Sequence, residues 1–175
     1  LFLGACQDSA TNEDSKEIAE EQNQAQFETK AAERDAQFVV DVSAANYAEI
    51  ALAQTAIQKS TNSELKDIAS TLESDHRALL GQLKQYASRY NISTPDSATM
   101  DASQEIADLS AITSGSEFDK KWCEELVEKH DKTINKLEGA ANELTDPELK
   151  TWIADALPKI RNHRDRLMEL KNKLK

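Results

Sequence analysis

The chain reads as all-α, with four long amphipathic helices packed as a bundle. Apolar residues recur at steps of three and four through most of the chain beyond about residue 33, the spacing of one helix face. Only four glycines and three prolines punctuate 175 residues, and aromatics make up 5%, which suits helices better than turn-rich sheets. A chain of this length can bury a sizeable core as one domain.

The first long helix is expected from about Glu33 to Lys59. Phe38, Val42, Ala45, Leu52 and Ala56 form its stripe, and Glu49 occupies the missing step between Ala45 and Leu52. Thr61 and Glu64 have capping-box spacing, so a tight turn should lead into the second helix. That helix carries Leu65, Ile68, Ala69, Leu72, Leu79, Leu80, Leu83, Ala87 and Tyr90 on one stripe. Here His76 fills the gap between Leu72 and Leu79, and Gly81 is read as a point of close helix packing.

Asn91-Ile92-Ser93-Thr94-Pro95 ends the second helix. Residues 91–115 then form a long connection between helices 2 and 3, with one short helical pattern from Ser103 to Ile112. A connection of this length can cross a whole bundle, the topology of ferritin-like folds. Ser116 and Asp119 offer a second capping box, with aspartate in the usual glutamate position. The third helix runs to about Leu144 with Phe118, Trp122, Leu126, Ile134, Leu137 and Ala141 inward, and His130 shares that face. Thr145-Asp146-Pro147-Glu148 starts the fourth helix, since proline is pre-set for a first helical turn. Its stripe is Leu149, Ile153, Ala156, Ile160, Leu167, Leu170 and Leu174, with His163 between Ile160 and Leu167. Pro158 should kink it by removing a backbone donor.

The beginning of the chain has another character. Leu3-Gly4-Ala5-Cys6 resembles the lipobox of bacterial lipoproteins, so residues 1–5 are expected to be the end of a signal peptide and Cys6 the lipidated residue. From Gln7 to Asp35 there are nine acids against three bases, too polar to fold alone, so 6–32 is expected to be a lipidated acidic tether. The domain division is therefore tether, then bundle over 33–175. Acylation of Cys6 would anchor the chain to a membrane. Gln7 after it resembles the sorting pattern for the outer membrane, and the expected location is the bacterial cell envelope, facing periplasm or cell surface.

Composition excludes several functions. A net charge of −11 argues against nucleic acid, which needs a clustered basic face. There is no Gly-rich phosphate loop and no Cys-x-x-Cys pair. Ser74-Asp75-His76 has triad residue types, but adjacent helix positions point in different directions. Cys123 lies ~10 Å along the helix axis from His130, too far for activation as a nucleophile, and reads as a small buried hydrophobe.

What remains is one polar residue on the core stripe of each long helix: Glu49, His76, His130 and His163, which include all three histidines of the chain. At ~1.5 Å per residue, Glu49 and His76 lie ~18 and ~22 Å from the turn near Thr61, and His130 and His163 lie ~24 and ~26 Å from the turn near Asp146. All four therefore fall at similar depth, and their side chains can converge on one point. Three imidazoles and a carboxylate suit a divalent metal ion such as zinc, iron or copper. Glu73, three residues before His76, adds a candidate ligand, and Asp75, Asp131 and Asp165 are candidate outer partners for the imidazoles. A di-iron centre wants two Glu-x-x-His motifs, and Glu73–His76 is the one example here, so no reaction is assigned. The other reading of the same four residues is a metal-free polar network in a structural or protein-interaction bundle of the envelope stress response.

Specific residues also carry a family resemblance. Gln37-Phe38-Val39, Ala48-Glu49, Asp75-His76, Phe118-Asp119, His130, Leu157-Pro158 and His163 occur in the order and spacing of the ferritin-like bacterial envelope family called domain of unknown function 4142. The chain resembles that family from Ala36 to about Leu170. The resemblance implies a ferritin-like four-helix bundle in a periplasmic or outer-membrane protein, and implies no reaction. Leu72 stands where the family commonly has methionine, and Trp122 where a tyrosine usually follows Phe-Asp.

Overall fold

Five of the six described helices begin on a short polar side chain. In the computed structural model, which describes residues 14–174, Asp146 caps a helix over Pro147–Lys173 by accepting from the backbone N–H groups of Glu148 and Leu149. Proline at the first helical position loses no intrahelical bond. Six helices stand among the described residues, with no strand: α1 (Ser15–Gln26), α2 (Lys30–Lys59), α3 (Ser63–Tyr90), α4 (Met100–Ala111), α5 (Ser116–Glu143) and α6 (Pro147–Lys173). The all-α expectation holds. So does the short helix in the 91–115 connection, and α6 runs on through Pro158.

Two expected caps differ. Asn62, not Thr61, caps α3, accepting from the Leu65 N–H, because the Ser60 hydroxyl accepts the Asn62 N–H and turns the chain one residue later. Gly115, at φ 133°, precedes α5, and no side chain caps that helix. Ser116 is already helical, and Asp119 is buried with its Oδ1 unpartnered. Gly81 is not a close-packing point either: a Cβ there would meet nothing within 4 Å.

The acidic segment differs most from expectation. Residues 15–26 form α1, which lies against α2 and buries Ala19 and Asn23. Asn23 exchanges two hydrogen bonds with the backbone of Ser93, at 2.9 and 2.8 Å, and Glu20 accepts from Gln37 at 2.6 Å. Asp14 caps α1 through Oδ1 and accepts the Met100 N–H through Oδ2 at 2.7 Å, tying α1 to α4. Polar pairing with the rest of the fold replaces the apolar burial that α1 lacks. This part of the expected tether is thus a docked helix. Cys6 and the remainder of the lipobox lie outside the described residues.

Short turns at 60–62 and 144–146 make antiparallel pairs of α2 with α3 and of α5 with α6. α3 packs on α6, whereas α2 and α5 meet only sparsely and α4 rests against both. The apolar core falls into two clusters. One gathers Phe38, Val42, Leu79, Leu83, Ile134 and Ile160; the other gathers Leu52, Leu72, Phe118, Trp122, Leu126 and Leu167. The boundary on each long helix falls at the step its polar residue occupies. No described helix is long and apolar enough to cross a membrane.

Candidate metal centre

His76 on α3, His130 on α5 and His163 on α6 meet in the layer between the two apolar clusters. The residues are 4, 1 and 1% exposed, and their ring centroids stand 5.4–5.8 Å apart. One nitrogen from each lies within 4.8 Å of one from each of the others. Apolar neighbours one turn away on every helix hold the rings in the interior, so each ring must find its polar partners there.

Each ring has one partner and one bare nitrogen. His130 Nδ1 lies 2.9 Å from the Leu126 carbonyl, which can only accept, so this nitrogen carries the proton. His163 Nε2 lies 2.9 Å from Asp75 Oδ2 and donates to that carboxylate. Asn46 Nδ2 donates to the Val42 carbonyl at 2.7 Å, leaving Asn46 Oδ1 to accept from His76 Nδ1 at 2.9 Å. The opposite nitrogens, His76 Nε2, His130 Nε2 and His163 Nδ1, are buried without a partner. Three lone pairs are therefore fixed in one buried place by donors on the far side of each ring. That is how proteins orient imidazoles toward a cation, the outer bond setting tautomer and ring direction.

Burial keeps two of the rings, His76 and His163, neutral. Burial pushes His76 well below the ordinary imidazole range, and the neighbouring His130 and His163 add to it. Burial also pushes His163 down to about 4, against the opposing pull of Asp75. A neutral imidazole is the form that binds a metal.

Glu49 stands beside this group. Its Oε1 is 3.9 Å from His130 Nδ1, the protonated side of that ring, and its buried Oε2 has no partner. Burial raises its pKa above the usual carboxylate range, with His130 and Lys129 pulling the other way. Glu73 points elsewhere: it accepts from Arg77 at 2.7 and 3.0 Å and from Gln54 at 2.9 Å, and these bonds hold its carboxyl below the usual range. Of the three candidate outer aspartates, Asp75 serves His163, while Asp131 and Asp165 pair with Arg164 on the surface. Asn46 is the site residue that sequence reasoning missed. Its signal was present, since Val42, Asn46 and Glu49 continue the stripe of α2 by steps of four and three.

Cys123 is enclosed in the second apolar cluster, and burial, with Asp119 and Glu124 nearby, pushes its thiol up to about 12. It takes no part in the histidine group.

A family model, Domain of unknown function (DUF4142), matches residues 11–170. No match was found among curated proteins or among solved structures.

Proposed function

We propose, for a chain that belongs to the family Domain of unknown function (DUF4142), that it is a metal-binding envelope lipoprotein. Its helices act as a ferritin-like four-helix bundle, and His76, His130 and His163 hold a divalent ion of the zinc, iron or copper type. One observation carries the reading: three buried imidazole nitrogens, each opposite a committed donor nitrogen, face one another without partners. A metal-free network would pair such atoms among themselves, because each bare buried acceptor costs about 1–3 kcal/mol. Three imidazoles with outer partners suit zinc, and also cupric or ferrous ions. Such an ion would supply Lewis acidity or redox chemistry when bound.

The bundle reading is supported by two antiparallel helix pairs and a connection long enough to carry α4 between them. Anchoring rests on Leu3-Gly4-Ala5-Cys6 and the outer-membrane assignment on Gln7. The membrane is the partner this implies.

The metal reading is tested by titration calorimetry of the full chain with zinc, ferrous and cupric ions near neutral pH, alongside single His→Ala variants. Binding near one equivalent, weakened by each variant and accompanied by a rise in Tm, supports it. Absence of histidine-dependent binding of any of the three ions would overturn it and leave the metal-free network.

A further inference from the structure

We propose that the histidine centre is a copper site that holds the cuprous ion more tightly than any divalent one. The inference rests on the metal reading and names the ion and its oxidation state.

The donor set carries it. His76, His130 and His163 come from three different helices, and their ring centroids form a triangle with sides of 5.4, 5.6 and 5.8 Å. Among the described residues, no carboxylate and no thiolate joins the three rings in the group able to hold an ion. Glu49 approaches His130 at Nδ1, 3.9 Å away, which is the nitrogen that donates to the Leu126 carbonyl and not the bare Nε2. Asp75 likewise meets His163 at Nε2, away from the bare Nδ1. A cavity of about 20 Å³ borders His76 but neither His130 nor His163, so a water held there is not shared by the three rings. Both methionines of the chain are exposed and add no thioether.

Three nitrogens without an anion sort the candidate ions. Zinc takes four ligands, cupric ion prefers a square-planar or tetragonal set, and ferrous sites built on histidine add a carboxylate. A triangle of imidazoles completes none of these. A cuprous ion, closed-shell and monovalent, is satisfied by three donors in a plane. Charge points the same way. A bound imidazole is uncharged, so the whole charge of the ion enters the buried layer with it. The cost of burying an ion rises with the square of its charge, which penalises a divalent ion most. Asp75, hydrogen-bonded to His163 at 2.9 Å, balances one positive charge, while burial raises the pKa of Glu49 and favours its uncharged acid.

The test uses the full chain. Cuprous affinity is measured by competition with bicinchoninate under ascorbate without oxygen, and cupric and zinc affinities by calorimetry. Spectroelectrochemistry gives the potential of the bound couple. That couple gains one electron, from ascorbate or from the electrode, and keeps its three metal–nitrogen bonds. The expected result is cuprous binding that each of His76→Ala, His130→Ala and His163→Ala weakens. It should exceed cupric binding by about tenfold or more, each tenfold raising the potential about 59 mV above that of aqueous copper. Cuprous binding should also exceed zinc binding. Asp75→Asn keeps an acceptor for His163 but removes the charge, so it should raise the potential further. Asp101→Asn, exposed in the first turn of α4, should leave it unchanged. A potential at or below that of aqueous copper, tighter binding of zinc, or a lower potential in Asp75→Asn overturns the inference and leaves the metal reading standing. Absence of histidine-dependent binding of copper in either state, of zinc and of ferrous ion overturns both.

Discussion

Asn46 Oδ1 accepts from His76 Nδ1 across 2.9 Å while Asn46 Nδ2 is held by the carbonyl of Val42. This pair joins α2 to α3 inside the polar layer and decides which nitrogen of His76 faces the other two rings. Removing the amide should free the ring to turn. Asn46→Leu is expected to weaken metal affinity by about 10–100-fold, the usual cost of losing an outer partner of a metal-binding histidine. Calorimetry at neutral pH measures it, and unchanged affinity would show that neighbouring side chains alone orient the ring.

The metal-free protein should lose stability as pH falls. Burial depresses the folded-state pKa of His76 and His163 below the ordinary 6.5, so the unfolded chain binds more protons below that pH. Above about pH 7.5 both states are neutral and the histidines contribute no slope. Stability falls as pH drops through 6.5, and the His163 part of the loss levels off near its folded value of about 4. That part alone is on the order of 3 kcal/mol. Denaturant midpoints of wild type and His163→Gln across this range should converge toward low pH.

Cys123 should be unreactive in the native protein. Its thiol is fully buried and pushed up to about 12, so almost no thiolate is present at neutral pH. Mass spectrometry after iodoacetamide treatment should find this position unmodified in buffer and modified in denaturant. Rapid native labelling would mean that the cluster around Trp122 opens locally.

Pro158 interrupts the hydrogen-bond ladder of α6 five residues before His163. Pro158→Ala restores a donor to the Ala154 carbonyl and should raise the stability of the metal-free protein by about 1–3 kcal/mol. If the proline sets the direction of the helix beyond it, metal affinity should fall in the same variant. A gain in both quantities would show that His163 is placed without help from the proline.

If Leu3-Gly4-Ala5-Cys6 is the lipid-attachment site proposed above, Cys6→Ser should leave the helical domain folded and release it from membranes. Fractionation of cells making each form checks this. Equal membrane retention of the variant would contradict the lipid anchor.

Much of this protein was legible from local pattern. Helix periodicity placed all four long helices, and the interruptions at Glu49, His76, His130 and His163 marked where the apolar core divides. Such patterns depend on residues three and four apart on one helix, so they need no knowledge of neighbours. The start of α6 was legible for the same reason, since Asp146 and Pro147 act within one turn.

The rest depended on contacts between helices. Glu73 and Glu49 both had ligand chemistry and helical spacing, yet Glu73 turns to Gln54 and Arg77, and Glu49 settles behind the protonated side of His130. The choice of Asn46, the Leu126 carbonyl and Asp75 as outer partners fixes three tautomers at once. Ala45 reads as core on its own stripe and is exposed because the facing helix stands away. The docking of α1 follows Asn23 and Ser93, 70 residues apart. Sequence alone determined which residues share a face, because helical phase is local. Only the tertiary structure decided which atoms meet, because the direction of a side chain's polar atoms depends on where the next helix lies.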